Sequence, residues 1–352
     1  MTGLSLPLLL AVFAGAAAAI WVAGVQLSAQ TDVLSVRLHL GSALGGLILL
    51  AVATNLPEIA IVVGAATSGK VGLAVGNILG GIAIQTVVLV VLDAFGGTGR
   101  FPLTYRAASL LLVLEAALVV AVLAVVVAAS QLPSGLIALR LAPGSVLIAI
   151  LWAAGLFLLR KADGSLPWQA SGEAPDNQGP PRGHSREKAA RRDVGTARSA
   201  TIFAVAALVT LLAGVVLERS GEAVADRIGL SGVLFGGTVL AAATSLPEVS
   251  TGLASVRAGD YQLAVSDIFG GNAFLPVLFL PATLLSGQAV LTHAEGTDIY
   301  LTALAMLLTL VYAAGLLFRP RRRIAGMGID SLTALVLYAV GVAGLFAIVT
   351  TS

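Results

Sequence analysis

Two short segments of this chain each place a carboxylate next to a proline inside a strongly apolar stretch. Residues 53–58 read ATNLPE, and residues 243–248, which lie 190 positions later, read ATSLPE. The similarity continues without a gap at the same offset, and 13 of the 32 positions from 53 to 84 are identical in the second copy. A carboxylate is costly inside a membrane, so its presence in both copies indicates a function.

The first copy can offer three kinds of oxygen to a cation. Pro57 has no amide hydrogen, which frees the carbonyl group of Ala53 four residues earlier. Thr54 precedes Glu58 by four residues, so its hydroxyl group and the carboxylate share one helical face. The matching groups of the second copy belong to Ala243, Thr244 and Glu248.

Two such copies facing each other would form an all-oxygen site with two negative charges. Hard cations prefer oxygen ligands, and Ca²⁺ takes about six to eight of them. The alternative is a simple proline kink, with the threonine hydroxyl bonded back to its own helix and a protonated glutamate. That alternative explains one motif but not the pair.

The helix after each motif presents a polar face with a spacing of four residues. This face holds Asn77, Gly81 and Gln85 in the first copy, and Asp267, Gly271 and Leu275 in the second. Asn77, Gln85 and Asp267 are therefore further candidate cation ligands. Asp267 lies only two turns into its helix, so a role as a helix-end cap is the alternative.

The composition indicates a membrane protein with many spans. The 352 residues are 58% hydrophobic and 11% charged, whereas soluble domains carry roughly 25% charged residues. The absence of cysteine excludes disulfides, thiolate metal sites and cysteine nucleophiles. The expected partners are inorganic cations and the lipid bilayer; we expect no cofactor and no nucleic acid.

Apolar windows of about 20 residues predict ten transmembrane helices. The first is interpreted as a retained span and not as a signal peptide, because no Lys or Arg precedes its long apolar run. The predicted spans are 5–27, 38–67, 71–94, 106–129, 143–160, 199–217, 230–256, 260–285, 297–318 and 329–350.

The distribution of basic residues predicts the orientation of these spans. With the N-terminus outside, 16 of the 20 Lys and Arg residues lie in segments that face the cytoplasm. Both termini are therefore expected outside a prokaryotic plasma membrane. The polar segment 161–198, rich in Pro, Gly, Ser and charge, is expected to be a cytoplasmic linker.

Five crossings separate the two glutamates, so the two motifs run in opposite directions through the bilayer. This pattern predicts an all-α membrane protein built from two inverted five-helix repeats, with a site between them. The first repeat covers residues 1–160 and contains the duplicated segment 42–86. The second covers 199–352 with the matching segment at 232–276.

The paired motifs, each followed by a glycine-rich helix, resemble the α-repeats of the cation/Ca²⁺ exchanger superfamily, and most of all prokaryotic sodium/calcium exchangers. The resemblance implies that Glu58 and Glu248 coordinate Ca²⁺ and Na⁺ with the help of Thr54 and Thr244. It also implies that the first and sixth helices slide against the rest to alternate access.

The chain departs from the family pattern at several ligand positions. The family has serine at the positions of Gly81 and Gly271, and Asn or Asp at those of Gln85 and Leu275. Asn55 replaces the usual small serine of the motif. These differences predict that the flanking Na⁺ sites are altered, so Na⁺ coupling is expected to be weaker or replaced by H⁺.

Glu115 is a further acid inside a predicted span, with alanine at the matching position of the second repeat. Such an acid is a candidate proton site, and a protonated residue hydrogen-bonded between two helices is the alternative.

The leading hypothesis is a secondary antiporter, not an enzyme, that exchanges Ca²⁺ or a similar divalent cation for Na⁺. The nearest alternative is an H⁺-coupled exchanger with the same fold. An intramembrane hydrolase and a non-transporting scaffold are remote alternatives, because aspartyl proteases use Asp and a scaffold leaves two buried carboxylates unexplained. The chain has no nucleotide-binding loop that would indicate a primary pump.

The linker offers a test of the predicted orientation. Residues 161–198 are expected to be cytoplasmic and mostly disordered, since their apolar content is too low to form a core. A protease added outside intact cells should leave this segment uncut, whereas the same protease should cut it in inside-out vesicles. Cleavage from outside intact cells would contradict the predicted topology.

Overall fold

A computed structural model describes residues 4–38, 45–96, 101–107, 109–162, 195–228 and 244–351. Helices dominate these residues. In chain order they are α1 (Leu6–Arg37), α2 (Ala51–Thr54), α3 (Leu56–Thr67), α4 (Val71–Phe95), α5 (Leu103–Ala107), α6 (Leu110–Ser130), α7 (Pro143–Ala162), α8 (Thr196–Ile228), α9 (Leu246–Ala258), α10 (Tyr261–Phe274), α11 (Phe279–Ser286), α12 (Gly296–Phe318) and α13 (Ile329–Thr351).

The described helices account for the predicted spans. Eight are long and apolar enough to cross a membrane, and the bent pair before and after Asn55 makes a ninth. Of the predicted span 230–256, residues 230–243 lie outside the described part of the chain, and α9 is its remainder. Most of the predicted linker, residues 163–194, also lies outside the described residues.

The first and sixth spans are longer than predicted. The predicted ends were residues 27 and 217, but α1 continues to Arg37 and α8 to Ile228. Hydropathy windows end where polar residues begin, yet no proline interrupts either helix there. Buried contacts support the extension of α1, since the Ser28 hydroxyl lies 2.8 Å from that of Ser255 on α9.

Prolines interrupt two other predicted spans. A π-helical turn at Gly45–Leu50 leads into α2, and the chain then bends by 58° at Asn55 before α3. The predicted helix 260–285 is likewise interrupted by the 3₁₀ turn Leu275–Leu278, which contains Pro276. Proline lacks an amide hydrogen and clashes with the preceding turn, so it breaks the α-helical ladder at each point.

Four helices form the centre of the molecule. α12 packs against α4 and α6, while α10 packs against α4, α6 and the π-helical turn. Their buried Leu, Ile, Val and Ala side chains belong to one continuous apolar cluster. α10 also packs against α2 of the first motif and α9 of the second, so it lies between the two motifs.

The long helices α1 and α8 form a separate pair. They pack mainly against each other, and their buried residues form two small apolar clusters apart from the main core. α1 also contacts α9 of the second repeat, and α8 contacts α3 of the first. Each long helix thus touches the motif helix of the opposite repeat.

Glycines allow these two crossed contacts. A Cβ atom at Gly24 would overlap the side chain of Ser250 and lie 3.4 Å from the carbonyl oxygen of Pro247. A Cβ atom at Gly214 would overlap the ring of Pro57. The two glycines are themselves 190 residues apart, so the same close approach is made twice, as small residues permit between membrane helices.

Arginines mark the two ends of the bundle. At the end predicted to be cytoplasmic, Arg106 donates to the hydroxyl of Tyr261 at 2.6 Å, and the guanidinium groups of Arg319 and Arg321 lie over the ring of Tyr105. A two-stranded hairpin, β1 (Arg323–Ile324) and β2 (Met327–Gly328), lies at this end.

The contacts at the other end join segments that are predicted to lie outside. Arg140 donates to the carbonyl oxygen of Leu284, and Arg227 donates to that of Leu4. Segments with the same predicted side therefore contact each other in both cases, as alternating crossings require.

The Gly24 contact leads to a stability prediction. Gly24→Ala should lower the melting temperature of the detergent-solubilised protein, because overpacking typically costs about 1–3 kcal/mol. Gly15→Ala is the matched control on the same helix, since no described atom lies within 4 Å of a Cβ there. Equal melting temperatures for the two variants would contradict the close contact between α1 and α9.

Candidate cation site

Both motif glutamates lie in the first turn of a helix that follows a break. Glu58 is in the first turn of α3 and Glu248 in that of α9, and each helix has proline among its first two residues. Both side chains are buried, with 3% and 1% of their surfaces exposed. The partial positive charge at a helix N-terminus favours a carboxylate in this position.

The two glutamates belong to one site. Glu58 and Asp267 are the acidic side chains that interact electrostatically with Glu248. The Gln85 amide group of α4 donates to Oε1 of Glu248 at 3.4 Å, and Oε2 of Glu248 has no hydrogen-bond partner among the described residues. One carboxylate oxygen is therefore buried and available to a ligand.

Asp267 joins the two repeats through hydroxyl groups. The Thr54 hydroxyl lies 3.3 Å from Oδ1 of Asp267, and the Thr251 hydroxyl lies 2.6 Å from Oδ2. Thr54 belongs to the first motif and Thr251 to α9, so the aspartate of α10 binds both motif regions. The contact with Thr251 is the shorter of the two.

Asn55 fills the bend of the first motif. Its amide nitrogen donates to the carbonyl oxygen of Ala51 at 2.7 Å, and its Oδ1 accepts a hydrogen bond from Gln85 at 2.9 Å. Since Gln85 also contacts Glu248, the asparagine positions the amide between the two repeats. We call these side chains the central polar cluster: Thr54, Asn55, Glu58, Gln85, Glu248, Thr251 and Asp267.

Asn55 also explains the glycine at position 271. A Cβ atom at Gly271 would lie 2.7 Å from Nδ2 of Asn55 and 3.6 Å from Oε1 of Gln85. The large asparagine thus occupies the space that a side chain at 271 would need. Asn55 and Gly271 are therefore linked departures from the family pattern. The Asn55 amide group occupies the space in which that pattern places the serine side chain at position 271.

A second polar pair crosses between the repeats beside the cluster. The Asn272 amide of α10 donates to the hydroxyl of Thr86 on α4 at 2.9 Å, and both residues are fully buried. Neither this pair nor Thr251 was predicted from the sequence. Neither Thr86 nor Asn272 has a polar counterpart 190 residues away, so the repeat gave no signal for them.

Five of the predicted ligands lie close to one another. The structure brings Thr54, Glu58, Gln85, Glu248 and Asp267 together in the central polar cluster.

The remaining predicted ligands have different positions. Asn77 lies eight residues before Gln85, which is about 12 Å along the helix axis. Its Nδ2 atom has no hydrogen-bond partner in the described part of the chain. Ala53 is buried next to the bend, Thr244 immediately precedes the turn at Ser245 before α9, and Ala243 lies outside the described residues.

The central polar cluster contains two buried glutamates from opposite repeats. Within the described ranges, no group of three or more His, Cys, Asp or Glu side chains converges on one point. The two oxygens of Asp267 face the hydroxyl groups of Thr54 and Thr251, whereas Oε2 of Glu248 has no hydrogen-bond partner among the described residues. Two buried like charges without a cation would repel each other strongly.

Comparison with known proteins identifies the family. The family model described as sodium/calcium exchanger protein matches residues 8–161 and 198–349, which is most of the chain. The chain therefore belongs to the sodium/calcium exchanger family. It is a membrane transport protein of this antiporter family and not an enzyme.

Individual relatives agree with this assignment. The chain is 29% identical to inner membrane protein YrbG of Escherichia coli over 247 residues, 69% of this chain and 70% of that protein. It is 34% identical to the putative antiporter CaxA of Alkalimonas amylolytica over 115 residues, 32% of this chain and 36% of that protein.

A solved structure shares the fold. The sodium-calcium exchanger NCX_Mj matches with a TM-score of 0.66 at 17% identity, covering 96% of this chain and 98% of that one. The predicted fold, about ten transmembrane helices in two inverted five-helix repeats, is confirmed by this similarity and by the two-part family match.

The link between Asn55 and Gly271 leads to a double-mutant prediction. Gly271→Ser alone should lower the melting temperature, because its side chain would collide with the Asn55 amide. The overpacking cost is expected to be about 1–3 kcal/mol. The double variant Asn55→Ser/Gly271→Ser should recover much of this loss. Thermal unfolding of wild type, the two single variants and the double variant would measure the recovery. Additive losses in the double variant would disprove the link.

Proposed function

We propose that this protein is a secondary active antiporter that exchanges Ca²⁺, or a similar divalent cation, for Na⁺ by alternating access. The observation that carries the proposal is the burial of Glu58 and Glu248, one from each repeat, in a single interacting pair. Two carboxylates balance the charge of one divalent cation, and the surrounding ligands are oxygens, which Ca²⁺ prefers.

The cation would lie between the two half-helices. Glu58 and Glu248 would supply the charge, and the Thr54 hydroxyl, which interacts with Glu248, would add an oxygen. The Gln85 amide nitrogen donates to Oε1 of Glu248 and would hold that carboxylate in position. The Ala53 carbonyl, whose helical partner position is occupied by Pro57, is a further candidate ligand. Asp267 would act through its hydrogen bonds to the two threonines.

Alternating access would use the separate pair of α1 and α8. These helices pack on the main body through glycine contacts and small apolar clusters. Because α1 rests on the second motif helix and α8 on the first, movement of the pair would change both sides of the site. Small residues at these contacts let the helices approach closely.

The coupling ion has two candidates. Sodium is supported by the family and by the similarity to an exchanger of sodium and calcium. Protons are the alternative, supported by a specific observation: Gly271 and Leu275 provide no side-chain oxygen, and Asn55 fills the space next to Gly271. With fewer ligands for a small metal ion, we expect weaker or differently counted Na⁺ coupling.

The domain organisation follows the two repeats. We propose that residues 1–160 and 199–352 form the repeats, that 161–198 connects them in the cytoplasm, and that both termini lie outside. The arginine contacts at the two ends of the bundle support the alternating crossings.

The function is tested by ion flux into proteoliposomes that contain the purified protein. Calcium uptake should occur when a Na⁺ or an H⁺ gradient is imposed, and the two gradients applied separately identify the coupling ion. Glu58→Gln and Glu248→Gln should each reduce uptake to the level of empty liposomes, because each removes one of the two charges that balance the cation.

Controls separate loss of transport from loss of folding. Each Gln variant should elute as a single species in size-exclusion chromatography, since Gln has nearly the shape of Glu. Glu295→Gln is the matched control, as Glu295 is exposed at the start of α12 and should transport normally. Normal calcium flux in the double variant of Glu58 and Glu248 would end the exchanger proposal.

A further inference from the structure

Glu115 is a buried acid outside the central polar cluster. It lies on α6 with none of its surface exposed, and neither carboxylate oxygen has a hydrogen-bond partner of standard geometry among the described residues. Its neighbours on the same helix, Leu112, Ala116 and Val119, are also buried in the apolar core. No residue of the proposed ion site requires this acid.

The environment of Glu115 requires a neutral side chain. An isolated ionised carboxylate costs far more free energy in apolar surroundings than a neutral one. The Ser266 hydroxyl of α10 is the polar side chain that faces it. One carboxyl group and one hydroxyl group are too few oxygens for a dehydrated metal ion, which takes about six, so the ligand that fits is a proton.

The elements around α6 also carry other titratable and charged groups. The elements that pack against α6 are α7, α10, α12 and two 3₁₀ turns. Their titratable and charged side chains are Arg160 and Lys161 on α7, Tyr261 and Asp267 on α10, His293 in the second turn, and Asp298, Tyr300 and Tyr312 on α12. The influences on Glu115 come from its burial and from the Ser266 side chain.

Ser266 connects this acid to the ion site through the chain itself. It immediately precedes Asp267, whose two oxygens bind Thr54 and Thr251. α10 therefore presents Ser266 to Glu115 on one face and Asp267 to the central polar cluster on another. A displacement of α10 at one residue must move the other.

We propose that Glu115 is a proton-binding site whose occupancy is coupled to the ion site through α10. With a proton bound, Glu115 packs against α10 without net charge. Loss of the proton leaves a buried charge, which is relieved when water enters or α10 moves away, and that movement acts on Asp267. Coupling of this kind is reciprocal, so cation binding must also change proton binding at Glu115.

This inference rests on the proposed antiport but also has a direct measurement. Infrared difference spectra between wild type and Glu115→Gln at neutral pH should contain the C=O stretch of a protonated carboxylic acid, assigned to Glu115. Addition of Ca²⁺ to wild type should shift or remove this band. The absence of the band, or a band that Ca²⁺ leaves unchanged, would overturn the proposal.

The pH dependence of transport distinguishes a coupled site from a structural acid. A single proton-linked step changes a rate by up to about tenfold per pH unit. Wild type should show such a dependence of calcium uptake on pH, and Glu115→Gln, which keeps the shape of the side chain without titrating, should lose most of it. Glu295→Gln, at the exposed start of α12, should keep the wild-type profile.

The outcomes separate this proposal from the function on which it rests. Calcium flux in wild type with an unchanged pH profile in Glu115→Gln overturns the proton site and leaves the antiport intact. Absence of any calcium flux in wild type contradicts the antiport, and the infrared band then decides whether Glu115 binds a proton. If Glu115→Gln fails to fold, the difference spectrum between wild type and Ser266→Ala should contain a shifted C=O band of a protonated carboxylic acid, and a spectrum without it would overturn the contact.

Discussion

The structure depends on how an apolar bundle accommodates two buried carboxylates of the same sign. Burial strengthens the repulsion between Glu58 and Glu248, which the low-dielectric interior does not screen. Each glutamate lies at the N-terminus of a half-helix, where the backbone favours negative charge. The helix N-termini reduce the cost of burying the two carboxylates but do not neutralise two charges. In the proposed function, a cation between the repeats would complete the balance.

Side chains of the first repeat form hydrogen bonds with acidic side chains of the second. The amide of Gln85 in the first repeat reaches Glu248 in the second, and the hydroxyl of Thr54 reaches Asp267. The long helices α1 and α8 also contact the opposite repeats at the periphery, where glycines rest on the opposite motifs. The central polar cluster therefore contains side chains of both repeats, joined by hydrogen bonds between them.

Within the family fold, this chain has its own arrangement of polar groups. Asn55 takes the space that a side chain at position 271 would use, and its carbonyl oxygen holds Gln85. Asp267, one turn before Gly271, binds two threonines. Amide groups and a hydrogen-bonded acid thus replace hydroxyl ligands, which changes the oxygen set available to small cations while leaving the glutamate pair in place.

The sequence by itself determined the membrane class, the spans, the duplication and the two glutamates. Hydropathy and repeated motifs are local properties of the chain, and proline marks its own helix break. The family similarity confirmed the inverted-repeat fold that these patterns predict. Only the tertiary structure showed that α1 and α8 extend past their apolar windows and that Thr86 meets Asn272. These features depend on the rotation and depth at which helices from different repeats pack, and a contact between unlike positions leaves no periodic signal in the sequence.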